Sequence, residues 1–294
     1  MAFVCYGDFI LLRGEEFGGF LTSFSFTDPA CFLQEASSDL REVANHRAMI
    51  FEVLPKLMYD SVKELRQLQT ASPIINTTFK SSPARVLRAT TALEKDEILK
   101  FVSLSQRVAA EDEVNNRTIQ QRRGENVLYG QEVQLRHAAS MYFLKQRPES
   151  AEHDKSCINV ETSSTGSSGV HFKVESRYQF KSEGDKVIYE DFMHLRSSKS
   201  GLYLHISDKS LEAQGERAIK GSELGRVLDF APHPSVYTKT FEVNMAYLKS
   251  VWQPVLYRPF SVPAGALCSG SVLQFRHTER VGLAVSEGVD YTND

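Results

Sequence analysis

Hydrophobic and polar positions follow one pattern of sixteen residues that recurs four times along the chain. In each copy an arginine follows a large apolar residue, and another apolar residue comes seven positions after the arginine. The copies are residues 6–21, 129–144, 189–204 and 269–284. The first half of a copy alternates apolar and polar side chains, as residues 192–196 do, which is typical of a half-buried strand. Each copy therefore predicts one β-hairpin that buries its apolar face against its neighbours.

Each predicted hairpin turns through a polar stretch. Gly19, Gly201 and Gly282 lie where the chain must turn and re-enter the sheet, and glycine accepts the positive φ that such turns need. One shared position is always apolar and should line a common core: Leu12, Leu135, Leu195 and Phe275. Chance similarity among amphipathic strands is the alternative, and four copies in one register favour a true repeat.

Three such hairpins, each with a further strand pair, build a β-trefoil, whose closed sheet leaves no exposed edge. We predict a mainly β fold in which residues 1–247 form a β-trefoil and residues 241–247 are its closing strand. Three prolines mark residues 248–267 as a connector. Residues 268–294 would then be the first hairpin of an incomplete second β-trefoil.

A two-helix arm is predicted between the first two copies, at about residues 55–123. The first helix would begin at Pro55, because proline suits the first turn of a helix. The second would span residues 91–123, with Asp96 and Lys100 as an i,i+4 ion pair and Gly124 at its end. The charge-rich residues 111–113 and 120–123 are interpreted as a solvated face, and a docking edge for a neighbouring subunit is the alternative. Beyond the second copy, residues 162–169 form a flexible loop by composition.

Composition and charge exclude several classes of function. The 294 residues carry a net charge of −3, without the basic face expected of a nucleic-acid-binding protein. No window approaches about eighteen consecutive apolar residues, so we expect no membrane span and no direct membrane contact. The N-terminus lacks the pattern of a signal peptide. Four widely spaced cysteines are therefore interpreted as free thiols: Cys5, Cys31, Cys157 and Cys268.

No motif for catalysis or metal binding is present in the sequence. A phosphate-binding loop with its following lysine and the common hydrolase and zinc-protease motifs are missing. The eight histidines show no metal-ligand spacing. His137 and His277 share one position beside the turn, which favours a structural hydrogen-bonding role. We expect no enzyme activity, no cofactor and no metal site.

Several stretches resemble the N-terminal region of the inositol trisphosphate receptor and ryanodine receptor family of calcium-release channels. The hairpins resemble MIR repeats, and residues 127–137 with 140–144 are similar to a Tyr-Gly-x-x-Ile/Val-x-Leu-x-His hairpin of both receptor types. Residues 180–187 are similar to the turn before the third hairpin of the family. Residues 114–117 resemble the end of its helical arm. The resemblance covers essentially the whole chain.

The resemblance implies a suppressor-type regulatory or gating segment of a ligand-gated channel. It would lie on the cytoplasmic face of the endoplasmic reticulum or another calcium-store membrane, among neighbouring subunits of a homotetrameric channel. The loop of the second hairpin would contact the next subunit through Met141, Tyr142 and Phe143. Alternatively, Tyr142 faces the core of its own domain, since the other copies have glycine or leucine at its position.

Inositol trisphosphate is expected to bind outside this chain. Family receptors hold its phosphates with a basic loop later in the second trefoil and with cationic residues of a following helical domain. Gln274 and Gly282 stand where the inositol trisphosphate receptors carry basic residues, so we expect no ligand-binding residue here. The alternative function is a stand-alone MIR or β-trefoil module that binds carbohydrate or protein. The helical arm favours the channel, while the choice between the two receptor types stays open.

Overall fold

A computed structural model shows a mainly β fold, with two α-helices and one large sheet among the residues that it describes. It describes residues 2–25, 28–35, 46–72, 92–210 and 240–257. The strands are β1 Phe9–Gly14, β2 Gly19–Ser23, β3 Cys31–Glu35, β4 Phe51–Pro55, β5 Glu132–His137, β6 Phe143–Ser150, β7 Ile158–Ser163, β8 Phe172–Ser176, β9 Met193–Ser197, β10 Tyr203–Ser210, β11 Thr240–Ala246 and β12 Trp252–Leu256. The α-helices are α1 Asp60–Ala71 and α2 Ala92–Arg122, and two short 3-10 helices span His46–Met49 and Ser168–Val170.

The predicted hairpins of the first three copies are confirmed. In each of them the repeated arginine pairs directly with the apolar residue that follows it by seven positions: Arg13 with Phe20, Arg136 with Phe143, and Arg196 with Tyr203. The shared apolar position lies in one core, where Leu12, Leu135 and Leu195 are at most 1% exposed. The fourth copy lies outside the described residues.

Six strands form a closed ring, in the order β1, β4, β5, β8, β9, β12 and back to β1. The other six form three hairpins, β2 with β3, β6 with β7 and β10 with β11. The strand β11 also pairs with β3 and β7, which joins the hairpins to one another. This pairing order is compatible with the predicted β-trefoil, and the mainly β class is confirmed.

Backbone hydrogen bonds follow the threefold repeat at one end of the ring. Val4 N donates to Val187 O (2.9 Å), Val187 N to Val127 O (2.9 Å), and Val127 N to Val4 O (2.8 Å). Each valine therefore serves as donor to one neighbour and acceptor from the other. This closed cycle ties the segments that precede the three hairpins into one unit.

The tyrosine that opens each copy forms a second cycle of hydrogen bonds. Each tyrosine hydroxyl donates to the residue at the third position of the next copy. The three pairs are Tyr6 with Gln131 (2.8 Å), Tyr129 with Asp191 (3.2 Å), and Tyr189 with Asp8. The repeated Tyr-x-Asp/Gln spacing thus gives every copy one donor and one acceptor for its neighbours.

The two helices of the arm are held together by polar side chains of α2. The Asn115 amide accepts from Met58 N (2.9 Å) and donates to Met58 O (2.8 Å), just before α1 begins. The Glu111 carboxylate accepts from Ser61 N (2.9 Å) and places its negative charge at the N-terminus of α1, where the helix dipole favours it. Glu111 is buried, so the prediction of a solvated face is wrong for this residue.

The first helix of the arm begins later than predicted, whereas the second lies where it was predicted. Pro55 is the last residue of β4, opposite Val133 in β5, and α1 begins only at Asp60. The second predicted helix is confirmed, and Gly124 follows it with φ +83°. The predicted Asp96–Lys100 pair is also confirmed, at 2.7 Å.

The first unit extends further along the chain than predicted. The strand β12 pairs with β1 over its whole length, from Gly14 opposite Trp252 to Ile10 opposite Leu256. It closes the ring, a role predicted for residues 241–247, and one compact unit therefore spans Met1–Leu256. The predicted connector of residues 248–267 can begin only after Leu256. Residues 268–294 lie outside the described residues, so their assignment stays a prediction.

Candidate functional site

The three predicted contact residues lie at the end of the turn between β5 and β6. Met141 is 52% exposed, whereas Tyr142 and Phe143 are half-buried. The backbone closes the turn twice, since Met141 N donates to His137 O (2.8 Å) and His137 N to Tyr142 O (2.7 Å). The turn therefore has a defined shape and presents Met141 more than its two neighbours.

Met141 adopts a backbone conformation for which the first and third copies use glycine. Its φ is +62°, and the equivalent Gly18 and Gly201 have φ +69° and +74°. An L-residue in this left-handed region costs about 1–2 kcal/mol, and such strain collects at functional sites. Gly18 is the turn glycine of the first hairpin, so the prediction of Gly19, which begins β2, is wrong by one residue. The predicted Gly282 lies outside the described residues.

A buried polar network supports the turn from below. His137 Nδ1 lies 2.8 Å from Ser140 Oγ and 3.0 Å from Ser25 Oγ. The Ser25 hydroxyl in turn contacts those of Ser23 and Thr162, at 3.2 and 3.1 Å. Hairpins one and two are thereby joined beneath Met141, and the predicted hydrogen-bonding role of His137 is confirmed.

Burial lowers the pKa of His137, although the nearby backbone of Arg47 and Ala48 acts in the opposite direction. Its Nε2 is buried without a hydrogen bond to any residue that the structure describes. The neutral form is therefore favoured near neutral pH, where Nδ1 can donate to or accept from the serine hydroxyls. Protonation would place a charge inside this network.

Phe143 connects the turn to the base of the arm. Its ring meets Tyr59 edge-on, with centroids 6.3 Å apart, and Tyr59 also stacks on His171 at 5.8 Å. The Tyr59 hydroxyl donates to Gln134 Oε1 (2.7 Å) in β5. Burial raises the pKa of this phenol, so it stays a donor. Phe143 therefore contacts the residue that directly precedes α1.

The family follows from a comparison of the chain with family models. A model described as inositol 1,4,5-trisphosphate/ryanodine receptor matches residues 1–224. The chain belongs to this receptor family. The match includes the first three hairpins and the arm, and it confirms the resemblance from the residues quoted above.

Residues 180–187, which resemble the turn before the third hairpin of the family, pack against the second copy. Gly184, at φ +98°, donates its N–H to Tyr129 O (2.9 Å). Lys181 forms an ion pair with Asp191 and lies 5.6 Å above the Tyr129 ring. The sequence signal here marks a junction between copies, because Asp191 is also the acceptor of the Tyr129 hydroxyl.

Two further findings bear on the functional expectations for this receptor-family chain. Among the described residues, no helix is long and apolar enough to cross a membrane. Within the same ranges, no three histidine, cysteine or acidic side chains are placed to hold a metal ion. Cys5, Cys31 and Cys157 are free thiols, while Cys268 lies outside the described part.

Proposed function

We propose that this chain is the N-terminal regulatory segment, of suppressor or gating type, of an intracellular ligand-gated calcium-release channel. The membership in the inositol 1,4,5-trisphosphate/ryanodine receptor family supports this proposal. The segment would act through contacts rather than catalysis. It would lie on the cytoplasmic face of the endoplasmic reticulum or another calcium store.

The observation that carries the proposal is the conformation of Met141. A large apolar side chain stands exposed at a left-handed position where two sister copies have glycine. The fold alone does not require a side chain there, since Gly18 and Gly201 make the same turn without one. This strain supports the proposal that the side chain serves a contact outside the domain.

The turn is suited to bind a neighbouring subunit with little loss of freedom. Its closing hydrogen bonds and the His137 network fix the backbone before any contact forms. Pre-organisation of this kind lowers the cost of association. Met141 supplies an adaptable apolar surface, and the half-buried Tyr142 supplies an aromatic anchor beside it. The proposed partner is the next subunit of a homotetrameric channel.

Ligand binding is assigned to other parts of the channel. The predicted departures from the family's basic residues, Gln274 and Gly282, lie outside the described residues and stay part of the proposal. Inositol trisphosphate would therefore influence this segment only through elements beyond this chain. The contact at Met141 would pass the binding event between subunits.

The test is calcium release from the complete receptor that contains this segment. The message encoding the chain is first sequenced, and the proposal requires membrane spans in the same open reading frame. The receptor with Tyr142→Ala is then expressed in cells without other family members. We expect ligand-evoked release to fall strongly, since an interface anchor contributes about 2 kcal/mol or more. Protein level and thermal stability should stay close to those of wild type.

The matched control is Tyr247→Ala, which removes a tyrosine that is 89% exposed in another turn. This variant should release calcium like the wild type. Equal release from wild type and Tyr142→Ala would contradict the proposed contact. A message without membrane spans would contradict the channel role and would favour the stand-alone MIR or β-trefoil module that binds carbohydrate or protein.

A further inference from the structure

Lys145 is a buried cation without a carboxylate partner. The residue is 7% exposed, and its Nζ donates to the backbone oxygen of Thr165 at 3.3 Å. An ammonium group has three donors, and a buried charge is costly unless it is paired. No ion pair joins Lys145 to any residue in the described ranges. The site therefore has capacity for an anion.

The equivalent positions in the other copies show that the fold does not need a cation here. In the first copy the position holds Thr22, whose hydroxyl donates to Phe20 O (3.0 Å). In the third copy it holds His205, whose Nδ1 lies 2.9 Å from Ser250 Oγ. Both are satisfied by groups of their own hairpin region. Lys145 is thus a feature of the second copy alone among the three described copies.

The positive charges of further side chains act on Lys145. Burial lowers its pKa, and the positive charges of Arg66, Arg147 and Lys199 lower it further, against one raising influence from Glu161. The Glu161 carboxylate is already engaged by Arg147, at 3.2 Å. Among the described residues, Arg66 and Lys199 form no ion pair. Positive charge is thus concentrated here although the whole chain has a net charge of −3.

The cations belong to three separate elements, α1, β6 and the turn after β9. Arg66 lies on α1, Lys199 in the turn after β9, and the turn is tied to β6 because Ser200 Oγ donates to Gln146 Oε1 (2.8 Å). Gly169 packs so closely on β6 that an added Cβ would lie 2.6 Å from Gln146 O and 3.6 Å from Lys145 Cγ. The loop of residues 162–169, predicted to be flexible, therefore forms a packed wall beside the lysine.

That wall supplies neutral groups that suit an oxyanion. Ser164, Thr165 and Ser168 are exposed, and their hydroxyls lie on the loop whose carbonyl holds Lys145. Cationic side chains together with hydroxyl donors are the usual surroundings of bound phosphate. The Glu161 carboxylate lies on the opposite strand from Lys145 but is engaged by Arg147, so no carboxylate of the described part closes the site as an ion pair with the lysine.

We propose that Arg66, Lys145 and Lys199 form a binding site for a small anion of the phosphate class, free or carried by a nucleotide. The anion neutralises the charge cluster and bridges α1, β6 and the turn after β9. Binding should therefore stabilise the junction between the arm and the sheet. It involves no covalent step.

The experiment is calorimetric titration of the whole 294-residue chain with sodium phosphate, at constant ionic strength set by sodium chloride. We expect saturable binding to wild type. Arg66→Gln and Lys199→Gln should each weaken it about tenfold, since each removes one charge-assisted bond. Lys145→Met should abolish it, and in phosphate-free buffer its melting temperature should not fall below that of wild type. A parallel titration with ATP distinguishes the two sources of the anion. ATP that binds more tightly than phosphate would indicate a nucleotide site, whereas phosphate that binds at least as tightly as ATP would indicate a site for free phosphate.

The control is Lys186→Gln, an exposed lysine over the Phe3 ring that causes the same change in net charge. It should bind phosphate like the wild type. The proposal is overturned if neither phosphate nor ATP binds the wild type. It is also overturned if Arg66→Gln and Lys199→Gln bind as tightly as wild type, because binding would then lie elsewhere.

Discussion

Glu190 offers a direct test of the threefold repeat, because it stands where the other two described copies have glycine. Its φ is +69°, and the equivalent Gly7 and Gly130 have φ +88° and +90°. The backbone cannot relax easily, since Glu190 N donates to Pro254 O (2.9 Å) and Glu190 O accepts from Gln253 Nε2 (2.8 Å). The side chain is exposed, so its removal costs little packing.

The substitution Glu190→Gly should stabilise the protein. Relief of the left-handed conformation contributes about 1–2 kcal/mol. The greater freedom of glycine in the unfolded chain offsets about 0.4–1 kcal/mol of this gain. The net increase in the free energy of unfolding is therefore about 0.5–1 kcal/mol. For a unit of this size it corresponds to a rise of about 1–4 °C in melting temperature.

Urea unfolding of the 294-residue chain, followed by circular dichroism, measures this change. The matched control is Gly130→Ala, which places a Cβ at φ +90° and only 2.9 Å from Glu183 Cγ. We expect this control to lose about 1 kcal/mol or more. A Glu190→Gly variant that unfolds at a lower urea concentration than the wild type would refute the reasoning, because the backbone at Glu190 would then carry no strain.

Three further predictions concern the hydrogen bonds and the turn. The hydroxyls of Tyr129 and Tyr189 donate to carboxylates, so Tyr129→Phe and Tyr189→Phe should each lower the free energy of unfolding by about 1.5–3 kcal/mol. Tyr6 donates to a neutral amide, so Tyr6→Phe should lower it by about 1 kcal/mol. Equal losses for the three variants in urea unfolding would contradict this order. Because burial holds the pKa of folded His137 below its ordinary 6.5, the unfolded chain binds the proton first, so stability should be complete above pH 6.5 and fall below it. His137→Asn should reduce that loss in a pH series of melts, and an unchanged slope would contradict it. Met141→Gly should change the free energy of unfolding by less than about 1 kcal/mol, because relief of backbone strain offsets the lost packing. The same variant should reduce calcium release in the complete receptor. Calcium release equal to that of the wild type would contradict the proposed contact of Met141 with the next subunit.

The sequence predicts the hairpins well because their signal is local and repeated. The spacing from Arg136 to Phe143 recurs as a direct cross-strand pair, and the alternation of apolar residues places the core. The turn glycine was misplaced because Met141 interrupts the signal in the second copy. Comparison of the three copies at that position would have found it, since Gly18 and Gly201 stand there.

The errors lie where long-range packing overrides local preference. Pro254 within Trp252–Leu256 favours a connector, yet the strand pairs with β1 and buries Trp252 completely. Glu111 lies in a charged stretch typical of a solvated helix face. It accepts a hydrogen bond from Ser61 N only because α1 packs against α2 in the folded chain. The cluster at Lys145 could not be predicted, because its three cations come from segments far apart in sequence.

The closed ring has a consequence for the folding of the chain on the ribosome. Its first and last strands, β1 and β12, are partners, so the ring cannot close until residues 252–256 have left the exit tunnel. Pairings of such long sequence separation form slowly, and unpaired strand edges expose a nascent chain to aggregation. The first unit should therefore depend on chaperones during synthesis of the whole region between these strands. A pause in translation after residues 252–256 have emerged from the tunnel would favour its folding, whereas a pause before they emerge would not.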